Sequence, residues 1–596
     1  MTRNFTILMT AFLAFAVATG CQKKGDGAGN AGENTLNVAI IEKIKGLDPA
    51  HASDLYAGRQ VGYAYESLLD FHYLIRPYKL SPSLAEAIPT ISKDGKTITF
   101  KIRKGVLFQD DPCFKATQGK GRELTAHDFV YSFKRLADPK ELSEGWWIFD
   151  GRIVGLNEWA DAAKAAGKAD YDKPIEGLKA IDNYTLQIQL KNRSTQFLYY
   201  LAMPFSMVVP REAVEMYGAD FIRNPVGTGP FRLVRNQSNL GAKLVWERNP
   251  TYRVNTYPTE GAPGDKEAGL LDDAGKRLPF VDKIVATVYV ESQPMWLNFL
   301  AGKVDVSGIP KDSFAQAITP SKDLTDELKA KGMKLQVNVD LEVTHESFNM
   351  TDPLFGKNKL LRQALSYALN IEPLIEIFYN GRAIPAQGPI PPGLSGYDEK
   401  FKNPYRQFNL TKAKETLAKA GYPEGKGLPP IEYNTTSSTT ARQFTEYTQK
   451  AFAEIGVKLK VNSMSWPEFN EAIKNRKGQM YGFAWSADYP DAENFLQLFY
   501  SKNMSPGPND SNYSNPEYDK LYDQALLLAD TPERTAIYKK MVAILVEDCP
   551  WIFGAHRRTY ALHYGWLKNY KMHQFDHTAV KYLRVDAEAR KKAQGT

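Results

Sequence analysis

This chain predicts a mixed α and β fold built as two or three lobes, on three observations. Its 596 residues exceed what one hydrophobic core ordinarily organises. Helical and strand periodicities alternate along its length, which reads as mixed sheets with flanking helices. Hydrophobic residues make up 43% and charged residues 24%, a globular balance, and the aromatic share of 12% suits a large binding cavity as well as cores.

The first element is an export signal. Arg3 gives a charged start, residues 5–17 are a short apolar run, and Ala18-Thr19-Gly20-Cys21 follows, before a polar glycine-rich stretch. The run is too short to remain in a bilayer as a helix. The small residues before the cysteine resemble a bacterial lipobox, which implies lipidation of Cys21 and removal of residues 1–20; the departure is Ala18, where leucine is usual. Residues 21–34 then form a flexible tether, with a reach of roughly 20 Å. No later stretch approaches the ~18 uninterrupted apolar residues of a membrane span. The expected place is the cell envelope, on the periplasmic face of a bacterial membrane or the outer surface of a Gram-positive cell, held by a lipid anchor. Gln22 is not the aspartate that retains many lipoproteins at the inner membrane, so inner and outer membranes both stay open.

The body opens with a buried strand, Leu36-Asn37-Val38-Ala39-Ile40-Ile41, broken by Gly46-Leu47-Asp48-Pro49. After the turn Asp94-Gly95-Lys96, residues 97–102 put Ile98, Phe100 and Ile102 on one face of a strand. Residues 125–134 read as a helix capped by Thr125, with Asp128 closing a variant capping box. Residues 184–190 alternate again, through Leu186, Ile188 and Leu190. Residues 360–370 form a helix with Leu361, Leu365 and Leu369 on one side. Another helix covers 411–420 and stops at Gly421 and Pro423. A further helix ends at 451–455, and Gly456 leads into the strand 457–461. Residues 258–279 and Gly119-Lys120-Gly121-Arg122 read as surface insertions.

Several chemistries are disfavoured. Beyond Cys21 only Cys113 and Cys549 remain, which excludes a disulfide scaffold and any multi-cysteine metal site; whether the two pair is left open. The net charge of +7 is small and mixed in sign, against a nucleic-acid protein. Gly227-Thr228-Gly229-Pro230 lacks the Lys-Ser/Thr ending of a phosphate loop, and His345-Glu346 does not continue as a zinc-protease motif. No Gly-x-Ser-x-Gly elbow occurs. His573 and His577 are the one histidine pair at helical spacing, which alone does not make a metal site. Acidic residues are too plentiful to single out a glycosidase pair. No catalytic residue, cofactor or metal is expected.

An ordered set of segments carries a resemblance. Ser81-Pro82-Ser83-Leu84-Ala85-Glu86 precedes the run from Asp94 through Phe108, and Leu124-Thr125-Ala126-His127-Asp128-Phe129-Val130-Tyr131-Ser132 follows. Then come Val226-Gly227-Thr228-Gly229-Pro230-Phe231, Asn249-Pro250-Thr251-Tyr252, Gly302-Lys303-Val304-Asp305, Leu361-Arg362-Gln363-Ala364-Leu365 and Trp485-Ser486-Ala487-Asp488-Tyr489. Together they resemble the family 5 extracellular solute-binding proteins, the oligopeptide and dipeptide receptors of ABC importers.

That resemblance implies a bilobed periplasmic-binding-protein fold of type II with an extra subdomain. Lobe I would comprise 35–56, 226–340 and 554–596, with 57–225 as its subdomain, and lobe II would span 341–553. Two crossings near 340 and 553 would form the hinge, with the ligand between the lobes. The implied ligand is a short peptide, and the implied partners are an ABC permease and its ATPase, with the receptor a monomer. Relatives of this fold also bind nickel complexes, haem or sugars. A peptide-sensing receptor and an exported hydrolase stay open as well, the hydrolase disfavoured by the missing catalytic motifs.

The resemblance also assigns a site. The aspartate that meets a peptide α-ammonium matches Asp488. Main-chain pairing by strand addition matches Ala484 and Ser486, with Ile44 on the other lobe. Trp485, Trp466 and the Trp146/Trp147 pair match pocket aromatics. In some receptors an arginine six residues before the aspartate meets the peptide carboxylate; here that position is Gly482.

Overall fold

The computed structural model describes residues 34–595 apart from Pro77, Ala529 and Asp576. The signal, Cys21 and all but the last residue of the tether therefore lie outside the described residues. Within them no helix is long and apolar enough to cross a membrane.

The fold is mixed α and β, as expected. In one sheet Thr35–Ile40 pairs in parallel with Lys283–Val288, which continues antiparallel to Lys243–Arg248 and then Phe231–Leu233. In a second, Ala555–Tyr564 lies between Val306–Gly308 and Met333–Val339, and its start also pairs with Ala383–Pro385. A five-stranded sheet runs in the order Leu459–Met464, Ile431–Thr436, Met480–Ser486, Glu342–Phe348, Trp551–Phe553. A further sheet orders Thr90–Ile91, Thr97–Lys101, Thr185–Gln189 and Leu178–Asp182, with Ile98, Phe100, Leu186 and Ile188 buried.

The chain passes twice between the second sheet and the five-stranded one. Met333–Val339 hands over to Glu342–Phe348 through Asp340 and Leu341, and Trp551–Phe553 hands over to Ala555–Tyr564 through Gly554 alone. The two passages touch, since the Gly554 N–H donates to the Thr344 carbonyl at 2.7 Å. A Cβ on Gly554 would stand 2.5 Å from Thr344 Oγ1, so the absent side chain is what allows the close approach.

The helices follow their sequence signals. Ala126–Ala137 starts where the Asp128 carboxylate accepts the Thr125 N–H at 2.8 Å and its hydroxyl at 3.2 Å. Arg122, from the glycine-rich loop before it, binds Asp128 at 2.6 Å and Glu212 at 2.5 Å, so that loop is clamped against the body. Lys359–Ala368 buries Leu361 and Leu365 against Phe348, Tyr433 and Met480 of the five-stranded sheet. Gly421 and Gly456 take the left-handed conformation just past their helices.

Several expectations change. Residues 258–279 do not stand free: Asp265 and Asp273 are buried and bind Lys571 at 2.7 Å and Arg584 at 2.6 Å from the C-terminal segment. His573 and His577 lie in no helix, so their spacing carries no ligand geometry. Cys113 and Cys549 are both buried and unpaired. The boundary drawn between 56 and 57 falls inside the helix Leu55–Ala64.

Candidate ligand-binding site

A cavity of about 590 Å³ opens between the crossings and the elements on either side. One wall is the helix Leu55–Ala64, whose N-cap Asp54 accepts the Tyr56 and Ala57 N–H groups, both at 2.9 Å. The other is the strand Met480–Ser486 with the residues after it and the helix Trp466–Lys474. The floor includes Asp340, Glu342, Gly554 and Arg557 from the crossings.

Strand register sets what this second wall offers. Met480–Ser486 pairs antiparallel with Glu342–Phe348, with Trp485 opposite Val343 and Ala484 opposite Thr344. The Ala487 N–H donates to the Leu341 carbonyl at 2.8 Å, which makes residues 487, 485 and 483 the ones that bond inward. Ala484 and Ser486 therefore aim their N–H and C=O groups at the opposite edge. Ile431–Thr436 covers that edge only as far as Met480 and Tyr481. Past Gly482, which the Tyr433 hydroxyl meets, no strand pairs with the edge among the described residues, and Ala484 and Ser486 line the cavity.

Asn494 fixes the end of this strand. Its Oδ1 accepts the Asp488 N–H at 2.9 Å and the Trp485 indole N–H at 3.0 Å, and its Nδ2 donates to Asp488 Oδ2 at 3.0 Å. Three bonds of consistent sense leave the amide one orientation. Asp488 has no cation beside it among the described residues, and desolvation pushes its carboxyl up to about 6 against the opposing Asn494 bond. Trp466 stacks parallel to Phe483 at 5.9 Å and meets Tyr56 of the facing wall edge-on at 6.4 Å.

Several other charges in the cavity are answered from within. Arg557 holds Glu342 through two N–H groups, one of them Nη2 to Oε2 at 2.6 Å. Lys474 binds Asp510 at 2.6 Å. Glu346 is buried, accepts the Tyr433 hydroxyl at 2.8 Å, and burial raises its carboxyl to about 7. Asp340 is likewise raised to about 6 by burial. His345 lies flat on Trp551, and desolvation lowers it and His577 to about 3.

The cavity thus gathers Asp488, Ala484, Trp485, Ser486 and Trp466, but not Ile44, Trp146 or Trp147. Ile44 is buried in the core ahead of Asp48, which a buried ion pair ties to Arg135 at 2.8 Å. Trp147 turns into the core, edge-on to Tyr200 at 5.6 Å, and the Arg152 guanidinium holds its carbonyl at 2.6 Å. Trp146 packs partly buried against the same core. Gly482 cannot carry a longer residue without disturbance, because a Cβ there would lie 2.7 Å from Tyr433 Oη, inside the Tyr433–Glu346 pair.

The family description "Bacterial extracellular solute-binding proteins, family 5 Middle" matches residues 79–507. The chain belongs to this family. Among curated family members, the "Glutathione-binding protein GsiB" of Escherichia coli O6:K15:H31 (strain 536 / UPEC) is 28% identical over 524 residues, covering 86% of this chain and 87% of that one. The "Glutathione-binding protein GsiB" of Shigella dysenteriae serotype 1 (strain Sd197) is also 28% identical, with the same coverage. The fold matches the solved "ABC transporter-associated periplasmic binding protein DppA from Helicobacter pylori in complex with peptide STSA", with a TM-score of 0.75 at 24% identity over 93% of this chain and 98% of that one. It matches the murein tripeptide binding protein MppA of Escherichia coli equally, at 0.75 and 22% identity over 93% and 99%. The architecture of this family 5 protein is therefore the bilobed periplasmic-binding-protein fold.

Reading the sequence missed the facing wall of this family 5 protein. Asp54, Tyr56 and Arg59 all line the cavity from the helix Leu55–Ala64. The signal that could have found it is Asp54 as an N-cap, followed by Tyr56 and Arg59 at i, i+3 spacing on one helix face.

Proposed function

We propose that this family 5 protein captures short peptides between its lobes and delivers them to an ABC permease and its ATPase. One observation carries the reading: an unpaired carboxylate, Asp488, stands at the end of a strand whose bare edge at Ala484 and Ser486 faces the same cavity. The carboxylate suits the α-ammonium that every free peptide carries, and the edge suits its backbone. Neither depends on side chains, so the reading is of broad specificity, with Trp485 and Trp466 walling side-chain pockets. The solved DppA of Helicobacter pylori, in complex with the peptide STSA, agrees with this class of ligand.

The reading includes no catalysis. Lobe I comprises 35–54, 226–340 and 554–596 with 55–225 as subdomain, the boundary set before the helix Leu55–Ala64, and lobe II spans 341–553, hinged at the two crossings. The protein is a monomer that a lipid on Cys21 tethers to the membrane surface. Ligand contacts made on both lobes at once shift an open–closed equilibrium toward the closed form.

The test is native mass spectrometry of residues 22–596 purified from a peptide-rich medium, beside Asp488→Ala. A spread of bound masses in the peptide range, lost in the variant, is the expected result. A single non-peptide mass, or unchanged masses in the variant, overturns it. For the anchor, the mature N-terminus should carry a diacylglycerol mass on Cys21, absent after Cys21→Ser.

A further inference from the structure

We propose that Arg59 is the anchor for the carboxylate end of the ligand, an assignment that rests on the peptide reading above. The cations lining the cavity are Arg59, Lys474 and Arg557. Lys474 is bound to Asp510 at 2.6 Å and Arg557 to both oxygens of Glu342, so neither is free without breaking an ion pair. His345, His573 and His577 also line the cavity, and burial lowers all of them toward the neutral form. Arg59 is exposed, and among the described residues it has neither a hydrogen bond nor an ion pair. It is the cavity's uncompensated positive charge, as Asp488 is an uncompensated negative one.

The two charges belong to facing walls. Arg59 rides on the helix Leu55–Ala64, while Asp488 follows the strand Met480–Ser486. The helix is pressed onto the segment that carries His577: a Cβ at Gly62 would collide with the His577 carbonyl, and one at Gly58 would lie 3.2 Å from His577 Nδ1. This glycine-lined approach seats the helix against the cavity and turns Arg59 into it. A zwitterionic ligand along the bare edge would complement both charges, its ammonium at Asp488 and its carboxylate at a planar guanidinium suited to bidentate binding. Because the contacts fall on both walls, a ligand with both termini free favours closure more than one with a blocked end.

The experiment measures affinity for mixtures of random dipeptides to pentapeptides, as free acids and as C-terminal amides, by titration calorimetry and competition mass spectrometry. The wild type should bind acids ~10-fold or more tighter than amides, the effect of a charge-assisted contact. Arg59→Gln should weaken acids alone and abolish the difference, and Arg59→Lys should restore part of it. Equal binding of acids and amides by the wild type overturns the role of Arg59 while leaving the peptide reading standing. So does equal weakening of both by Arg59→Gln. Binding of neither form overturns the peptide reading and Arg59 with it. The acid–amide comparison on the wild type needs no variant, and unchanged ligand-free melting of Arg59→Gln shows that the helix is intact.

Discussion

An acid raised to about 6 in a binding cavity has a definite pH signature. The ionised form of Asp488 is the one that pairs with an ammonium, and in the ligand-free protein it is lost as pH falls through about 6. Peptide affinity should therefore decline below pH 6, and binding at pH 5.5 should release protons, read by calorimetry in buffers of different ionisation enthalpy. Asp488→Asn should remove that part of the slope, while Asp340 and Glu346, raised to about 6 and 7, titrate in both proteins. The sign for stability is opposite. A raised carboxyl favours the native state at low pH, and that contribution is lost as pH rises from the unfolded value toward 6. At pH 8 the ligand-free Asp488→Asn protein should be more stable by on the order of 1 kcal/mol, allowing for partial exposure, and should melt higher. That Asp488 lies in the cavity is legible in the sequence because the Trp-Ser-Ala-Asp-Tyr run can be matched as a unit, while its pairing with an ammonium rests on the proposal. Asn494 is not, since an amide that orients an aspartate through one bond and a tryptophan through another carries no local signature.

Elements are legible where local chemistry decides them. The helix Ala126–Ala137 begins at its capping residue because Asp128 satisfies the Thr125 N–H, and nothing distant is needed. What the sequence does not disclose is that Asp128 also holds Arg122, which in turn holds Glu212. Asp128→Ala should cost about 2–3 kcal/mol, since it breaks a cap and a largely buried ion pair together. The midpoint of urea unfolding should fall while peptide affinity is unchanged. Trp146 and Trp147 escape a correct placement for the complementary reason. An aromatic pair looks alike on a pocket wall and in a core, and the short 3₁₀ turn Trp146–Ile148 directs Trp147 inward through contacts with Tyr200 and Arg152. Residues 258–279 look like a free surface insertion by composition, yet their anchoring acids find partners some 300 residues later, beyond any window of periodicity.

At the scale of the whole molecule the bilobed plan is legible through the order of many weak segments, whereas contacts between segments far apart in the chain are not. Glu291 makes one of these. Its carboxylate accepts the Thr439 N–H at 3.1 Å and hydroxyl at 3.0 Å, at the start of the helix Thr439–Ala453. Under the proposed division these residues belong to different lobes, so the bond exists only when they are together. Glu291→Ala should lower peptide affinity about 2–5-fold, the worth of an exposed carboxylate at a helix N-terminus. It should also expand the ligand-free protein in small-angle scattering; unchanged scattering and affinity would mean the contact does not bias closure. Stacking of Tyr489 on Tyr199 at 5.6 Å is a second such contact, immediately after Asp488.

The bare edge at Ala484 and Ser486 has one more consequence. Successive residues of a strand turn their polar groups to opposite sides, so this edge offers bonding positions two residues apart, about 7 Å along the chain. A ligand laid against it is read at every second residue, and the residue between turns its N–H elsewhere. Methylating a ligand's backbone nitrogen should therefore be severe at one parity and mild at the other. A methyl scan along a bound pentapeptide would reveal the register in which this protein counts its cargo.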